Sequence, residues 1–273
     1  MVWHVPAIGC TRWFPALERN IPRFNQWLND QQFLSFGWRI PFIASALLVF
    51  VGLYVRLKIA ETPDFVNVIE KNERVKVPAK DVFMKHTKAI ILGTFVSVTN
   101  FLLFYLMAVF TLSWGTSALH YSKASFEVAQ MISAVFFGIG IPISSILADR
   151  YGRANMLIVS TVCIFLFGLA FSPLFSTGSW AITVGFLVLG MLLMGLTYGP
   201  LGTALAGIFP AAVRYTGASL AFTLAGILGA SLTPAIATKL ATLYGLNYVG
   251  YYLSFSAAIT FLALIAARSS MKE

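Results

Sequence analysis

The sequence contains few charged residues. Asp, Glu, Lys and Arg make up 11% of its 273 residues, whereas hydrophobic residues make up 58%. Soluble domains carry about 25% charged residues, so this composition argues against a soluble enzyme. A chain this apolar is not intrinsically disordered either. A membrane protein with several spans is the class that remains.

Cysteines are also scarce. The two that are present, Cys10 and Cys163, are too few for a disulfide scaffold. Cys163 lies inside an apolar run, and we predict that it packs as a small apolar residue. The sequence contains no phosphate-binding glycine loop, nucleophile motif or metal-ligand spacing. We therefore expect neither an enzyme nor a cofactor.

The excess of basic residues has a different meaning here than in a soluble protein. The net charge is +9, from 19 Lys and Arg against 10 Asp and Glu. In a soluble chain this balance would suggest nucleic acid as a partner. Here the basic residues lie mostly in short stretches between apolar runs, where they determine orientation in a membrane. We therefore expect a lipid bilayer, and no nucleic acid, as the partner.

Seven apolar runs are present, and each has about 20–24 residues, the length that crosses a hydrocarbon layer of about 30 Å. None carries Asp, Glu, Lys or Arg in its middle, where a charge would cost about 2.5–3.5 kcal/mol. The sequence therefore predicts an all-α, polytopic membrane helical bundle with seven transmembrane helices. The runs are 37–57, 89–112, 127–147, 155–175, 180–203, 216–238 and 248–267.

Lys and Arg are distributed unevenly between the two sides of these spans. One set of loops holds 13 of them and the opposite set holds only Lys123 and Lys239. The positive-inside rule makes the richer side cytoplasmic, which places the C-terminus inside. The 13 residues are Arg56, Lys58, Lys71, Arg74, Lys76, Lys80, Lys85, Lys88, Arg150, Arg153, Arg214, Arg268 and Lys272.

These patterns divide the chain into five parts. The N-terminal part lacks the basic start and uninterrupted apolar core of a signal peptide, because His4 and Pro6 interrupt it. The predicted parts are an atypical N-terminal segment (1–35), a transmembrane helix (36–58), a charged cytoplasmic linker (59–88), a six-helix part (89–267) and a cytoplasmic tail (268–273).

Several short stretches resemble one family of membrane proteins. They are NDQQFLSFGWRIPF (29–42), ETPDF (61–65), LADRYGR (147–153), MGLTYGPLG (194–202), FPAAVRYTGASLAF (209–222) and AGILGASLTP (225–234). Together they resemble the metabolite:proton symporter family of the major facilitator superfamily. The resemblance implies a secondary active transporter in the inner membrane, which moves a small organic metabolite with protons by alternating access. It implies a carboxylate or a zwitterion as the solute.

The resemblance also implies that part of a transporter is absent. Members have twelve helices in two halves, and the seven spans resemble helix six plus helices seven to twelve. An N-terminal half would then be missing. The alternative is a truncated, transport-incompetent fragment or an accessory membrane subunit. The sequence also departs from the family pattern at Ser145, Ala154 and Gly207, which stand where Gly, a basic residue and Glu are usual.

The resemblance assigns a cytoplasmic gating motif. It comprises Asp149, Arg150, Gly152 and Arg153, together with Arg214 before the sixth span. Asp149 and Arg153 are four residues apart and can pair if the turn is helical, whereas Gly152 permits a tight turn. Arg214 has a lipid phosphate or a linker carboxylate as its expected partner. The alternative role of these charges is to anchor the topology.

Polar residues deep in the spans are candidates for the substrate cavity. Asn100, Gln130, Tyr198 and Thr223 are selected because polar groups in a bilayer face the bundle interior or a wet cavity. The alternative is that they form hydrogen bonds between helices. No carboxylate lies deep in the last six spans, and Glu127 near an outer end is the nearest candidate for a proton carrier. Prolines 142, 173, 200 and 234 predict bends.

Overall fold

The computed structural model describes residues 30–58 and 78–268, and every regular element in these ranges is a helix. The all-α prediction is confirmed. Residues 1–29 of the predicted N-terminal segment, 59–77 of the linker and 269–273 of the tail lie outside the described residues. The helices are α1 (Asp30–Ser35), α2 (Ile40–Lys58), α3 (Pro78–Lys85), α4 (Thr87–Ser117), α5 (Lys123–Tyr151), α6 (Arg153–Leu169), α7 (Phe171–Phe175), α8 (Trp180–Gly207), α9 (Arg214–Tyr244) and α10 (Leu246–Ala267).

The chain divides into two units after Thr62. In the first unit, a short turn at Gly37–Arg39 joins α1 to α2. The 19-residue helix α2 is apolar up to Arg56, and large side chains such as Phe42, Leu47 and Phe50 are exposed along it. A helix that is apolar on all sides suits a lipid environment rather than water.

Among the described residues, five helices are long and apolar enough to cross a membrane: α4, α5, α8, α9 and α10. The predicted run 155–175 is instead split, because α6 ends at Leu169 and α7 begins at Phe171. Pro173 explains this position, since it lacks the N–H that would bond to the Leu169 carbonyl and its ring clashes with that carbonyl. The run 37–57 gives α2, within which Ser45–Tyr54 is a shorter apolar stretch.

Most helices extend beyond the apolar runs from which they were predicted. Helix α5 begins at Lys123 rather than at 127, and α9 continues through Lys239 to Tyr244. The linker is partly helical, because α3 and the start of α4 occupy its last residues. Apolar runs mark the part of a helix that lies in hydrocarbon, and polar residues continue the helix into the interface.

The second unit is held together by close helix crossings at glycines. A Cβ added to Gly140 on α5 would lie 2.9 Å from the Leu192 carbonyl oxygen and 3.1 Å from the Cα of Gly195 on α8. Glycine is required at such a crossing because the obstructing atoms belong to the backbone. Gly168 on α6 meets Gly250 on α10 in the same manner.

Two apolar clusters fill the spaces between these crossings. One contains a group of phenylalanines, among them Phe126, Phe171 and Phe186. The other includes Val82 of α3, which is fully buried beside residues of the membrane-length helices. Cys163 belongs to neither cluster and is exposed on α6, so its predicted packing role is wrong. The side chain of its neighbour Ile164 points into the bundle and is buried instead.

Candidate functional site

A π-helical turn interrupts α4 at Leu106–Phe110. Such a turn adds a residue to the helix and is often found at functional sites. The Gln130 side chain of α5 crosses to this turn, and its Nε2 donates to the carbonyl oxygens of Met107 (3.0 Å) and Ala108 (2.9 Å). Carbonyl oxygens only accept, so the amide nitrogen must be the atom that faces them. Gln130 therefore connects α4 and α5 at this position.

An open cavity of about 380 Å³ lies beside Gln130. It is bounded by residues of α4, α5 and α8, and most of its lining is apolar. Gln130 is the one predicted cavity residue in this lining, and Glu127, the candidate proton carrier, also belongs to it. The residues lining the open cavity are Phe104, Met107, Ala108, Glu127, Gln130, Met131, Ser133, Ala134 and Met191.

Asn100 does not line this cavity. It is only 4% exposed, and its Oδ1 accepts a hydrogen bond from the Thr197 hydroxyl of α8 at 2.8 Å. The Thr197 oxygen also lies 2.8 Å from the Met194 carbonyl oxygen of its own helix, so the two acceptors share one hydroxyl hydrogen. The structure therefore places Asn100 at a polar contact between two helices, which is the alternative that the sequence left open for it.

Tyr198 and Thr223 are not brought together with Gln130 either. Tyr198 is 42% exposed, and its ring meets the edge of Phe137 at 5.7 Å between centroids. Thr223 is exposed and donates to the Ser219 carbonyl of its own helix at 2.8 Å. Consecutive helical residues point about 100° apart, so the neighbour Thr197 takes the inward direction and Tyr198 does not.

We expect the Asn100–Thr197 contact to stabilise the bundle measurably. Asn100→Ala and Thr197→Val each remove one partner, and each is expected to lower the free energy of unfolding. The double variant should lose less than the sum, with a coupling of about 0.5–1.5 kcal/mol, because hydrogen bonds between membrane helices contribute amounts of this size. Unfolding titrations of the four proteins in detergent test this, and strict additivity would contradict it.

Sequence reasoning missed a second polar contact between helices. The Thr99 hydroxyl of α4 lies 2.8 Å from both the Ser256 and Thr260 hydroxyls of α10, and Thr260 donates to the Phe95 carbonyl oxygen at 2.6 Å. All three hydroxyl residues are buried. A signal was present in the sequence, since Ser256 and Thr260 are four residues apart and share a helix face.

The predicted gating motif lies at one turn between α5 and α6, where its residues are Asp149, Arg150, Gly152 and Arg153. Gly152 has φ of 91°, a conformation that favours glycine, so the tight turn is confirmed. The turn is not helical, and neither Asp149 nor Arg153 forms an ion pair with the part of the chain that the structure describes. Instead Arg150 lies over the Tyr151 ring, 5.5 Å from its centroid.

Two further side chains stabilise this turn through hydrogen bonds, and their role was not predicted from the sequence. Asn155 Nδ2 donates to the Tyr151 carbonyl oxygen, and Arg268 Nη2 donates to Asn155 Oδ1, both at 2.9 Å. The end of α10 is thereby attached to the turn between α5 and α6. Arg214 lies at the start of α9, where its Nε donates to the Phe209 carbonyl oxygen at 3.4 Å.

The fold combines apolar helices of membrane length with polar contacts at their crossings and an open cavity between three of them. This combination is typical of a multi-pass membrane transport protein. The sequence profile of the Major Facilitator Superfamily matches residues 32–234 and, in an overlapping match, residues 116–271. The chain belongs to this superfamily, which confirms the resemblance drawn from its sequence motifs.

Named relatives cover most of the chain. The inner membrane metabolite transport protein YhjE of Escherichia coli K12 is 43% identical over 251 residues, which are 90% of this chain and 57% of the relative. A putative metabolite transport protein of Haemophilus influenzae is 39% identical, over 89% of this chain and 58% of its own length. The proline/betaine transporter of Salmonella typhimurium is 30% identical, over 90% and 50%.

The chain thus spans between half and three fifths of the length of these relatives. No solved structure matches it significantly.

Proposed function

We propose that the chain provides the second half of a secondary active transporter, which moves a small organic metabolite together with protons by alternating access. The observation that carries this proposal is membership of the superfamily across the described helices. The open cavity between α4, α5 and α8 supports it as part of a solute path. Because the E. coli relative is named as an inner membrane protein, we infer the same membrane for this chain.

The turn at Gly152 is, in this proposal, a cytoplasmic hinge. Gly152 separates α5 from α6 with a backbone conformation that other residues rarely adopt, and exposed charges surround it. Neither Asp149 nor Arg153 forms an ion pair with a described residue, which supports this role, because both side chains remain available to new partners when the helices move. Arg214 belongs to the same cytoplasmic motif at the start of α9.

A further set of helices completes the path in this proposal. The relatives extend well beyond the part that this chain matches, and a transporter of this kind binds its solute between two repeats. A preceding half would then supply the second wall. A transport-incompetent fragment is the other possibility that partial coverage supports, and uptake separates the two.

The test measures uptake into proteoliposomes under a pH gradient. We expect the 273-residue chain alone to accumulate none of three solutes taken from the relatives' names, proline, glycine betaine and shikimate. A chimaera with the preceding part of the E. coli relative placed before residue 30 is expected to accumulate at least one. A protonophore should abolish this uptake, because the gradient drives it.

The outcomes separate the parts of the proposal. Uptake by the chain alone would contradict the need for a further half. Chimaera uptake that survives the protonophore would contradict proton coupling. Transport itself is contradicted if the chimaera is inactive while the intact E. coli relative accumulates one of the three solutes.

A further inference from the structure

The polar atoms that line the open cavity are hydrogen-bond acceptors. Gln130 uses both hydrogens of its amide nitrogen on the Met107 and Ala108 carbonyls, so only its Oε1 remains for another molecule. Ser133 donates its hydroxyl hydrogen to the Gln130 carbonyl oxygen at 2.8 Å. Glu127 adds a carboxylate, which accepts only when ionised. This lining therefore offers acceptors and no free donor.

The charge of the lining also favours a ligand that donates hydrogen bonds and carries a positive charge. Of the residues that line the open cavity, Glu127 is ionisable and none is Lys, Arg or His. Lys123 lies beside this carboxylate, with its Nζ 3.9 Å from Glu127 Oε1. Their side chains are 75% and 52% exposed, and exposed pairs of this kind contribute little. A second cation can therefore replace Lys123 at the carboxylate at low cost.

The apolar lining suits the hydrocarbon part of a small cation. Met107, Met131 and Met191 contribute flexible, polarisable side chains that adapt to different shapes. Phe104 presents an aromatic ring, to which a cation is attracted. A volume of about 380 Å³ is within the range of sites for small molecules.

We propose that the open cavity binds the ammonium end of a small organic solute, with its N–H groups donating to Glu127 and to Gln130 Oε1. The hydrocarbon part of the solute packs against Phe104 and the methionines. This inference rests on the proposed transport function and names the chemistry of its solute. From the sequence a carboxylate or a zwitterion is expected as the solute, and this inference adds that the solute carries an ammonium group. Where the solute also has a carboxylate, that end is bound by residues outside this cavity.

Three probes of one shape separate the two ends of such a solute. Pyrrolidine carries only the ammonium, cyclopentanecarboxylate only the carboxylate, and proline both. Binding to the full chain in lipid nanodiscs is measured by saturation-transfer NMR, with no gradient present. We expect pyrrolidine and proline to bind, and cyclopentanecarboxylate to bind at least tenfold more weakly.

Two variants test the atoms involved. Glu127→Gln keeps the shape of the side chain and removes its charge, and it is expected to weaken pyrrolidine binding about tenfold. Lys123→Gln is the matched control beside the cavity, and it should bind pyrrolidine equally or more tightly. Melting temperatures of both variants near that of the original chain establish that they are folded.

The proposal is overturned by equal binding of cyclopentanecarboxylate and pyrrolidine, or by a Glu127→Gln variant that binds as well as the original. Nanodiscs with and without phosphatidylethanolamine distinguish a free solute from a lipid headgroup: competition by this lipid would support the ammonium site and assign it to the headgroup. Retained binding without uptake by the chimaera would contradict transport and leave the site intact.

Discussion

Gly195→Val is expected to prevent the normal packing of α5 against α8. A Cβ at this position would overlap the Phe137 carbonyl oxygen and lie 3.1 Å from the Cα of Gly140. Both obstacles are backbone atoms, so no side chain can rotate away to make room. Overpacking a tight contact costs typically 1–3 kcal/mol, and valine adds three carbons here, so we expect a loss of about 3 kcal/mol or more in the free energy of unfolding.

The matched control is Gly185→Val on the same helix. A Cβ on Gly185 meets nothing within 4 Å, and this residue is exposed, so the same substitution is expected to leave the unfolding energy within about 0.5 kcal/mol of the original. Unfolding by dodecyl sulfate in mixed micelles measures both. Equal stability of the two variants would show that the close crossing of α5 and α8 does not hold the bundle together.

Replacing Gln130 is expected to have the second largest effect. Gln130→Leu removes both hydrogen bonds to the π-helical turn, and the Ala108 carbonyl then loses its side-chain donor. Met107 keeps one partner, the Thr111 hydroxyl. A buried acceptor left without its partner costs about 1–3 kcal/mol, and we expect the lower end of this range for the Ala108 carbonyl, which is half-buried beside the open cavity. Gln130→Glu should cost more, because an ionised carboxylate would face two carbonyl oxygens.

Two measurements check this prediction. The melting temperature in detergent should fall in the order original, Leu variant, Glu variant, and amide hydrogen exchange should increase at Leu106–Phe110. Met131→Leu is the control, since Met131 also lines the cavity and is 65% exposed. Unchanged exchange at the turn in both Gln130 variants would contradict a role for Gln130 in holding it.

The positions of the membrane helices could be predicted from the sequence, because transfer into hydrocarbon depends on composition over about 20 residues. The internal breaks depend on single residues and were harder to predict. Pro173 was expected to bend a span and in fact separates α6 from α7. Pro142 and Pro200, by contrast, remain inside continuous helices.

The candidate site was predictable in part. Gln130 was selected because a polar side chain in a span needs a partner or a cavity, and it has both. Asn100 satisfied the same rule, and its partner Thr197 lies on another helix, so a single sequence could not identify the pair. The π-helical turn could not be predicted. It adds one residue within a stretch in which every residue is apolar, so the hydrophobic pattern does not change.

The contact between Thr99 and α10 has a consequence for the order in which the bundle is made. Thr99 pairs with Thr260, which is 161 residues later in the chain, and synthesis at about 5–20 residues per second puts roughly 8–30 s between them. During that time the Thr99 hydroxyl can donate to the Phe95 carbonyl, four residues back, as helical threonines do. Thr260 occupies this acceptor in the completed bundle. The Phe95 carbonyl is thus open to Thr99 before α10 is made and accepts from Thr260 once α10 has packed, so this contact between α4 and α10 forms late in synthesis.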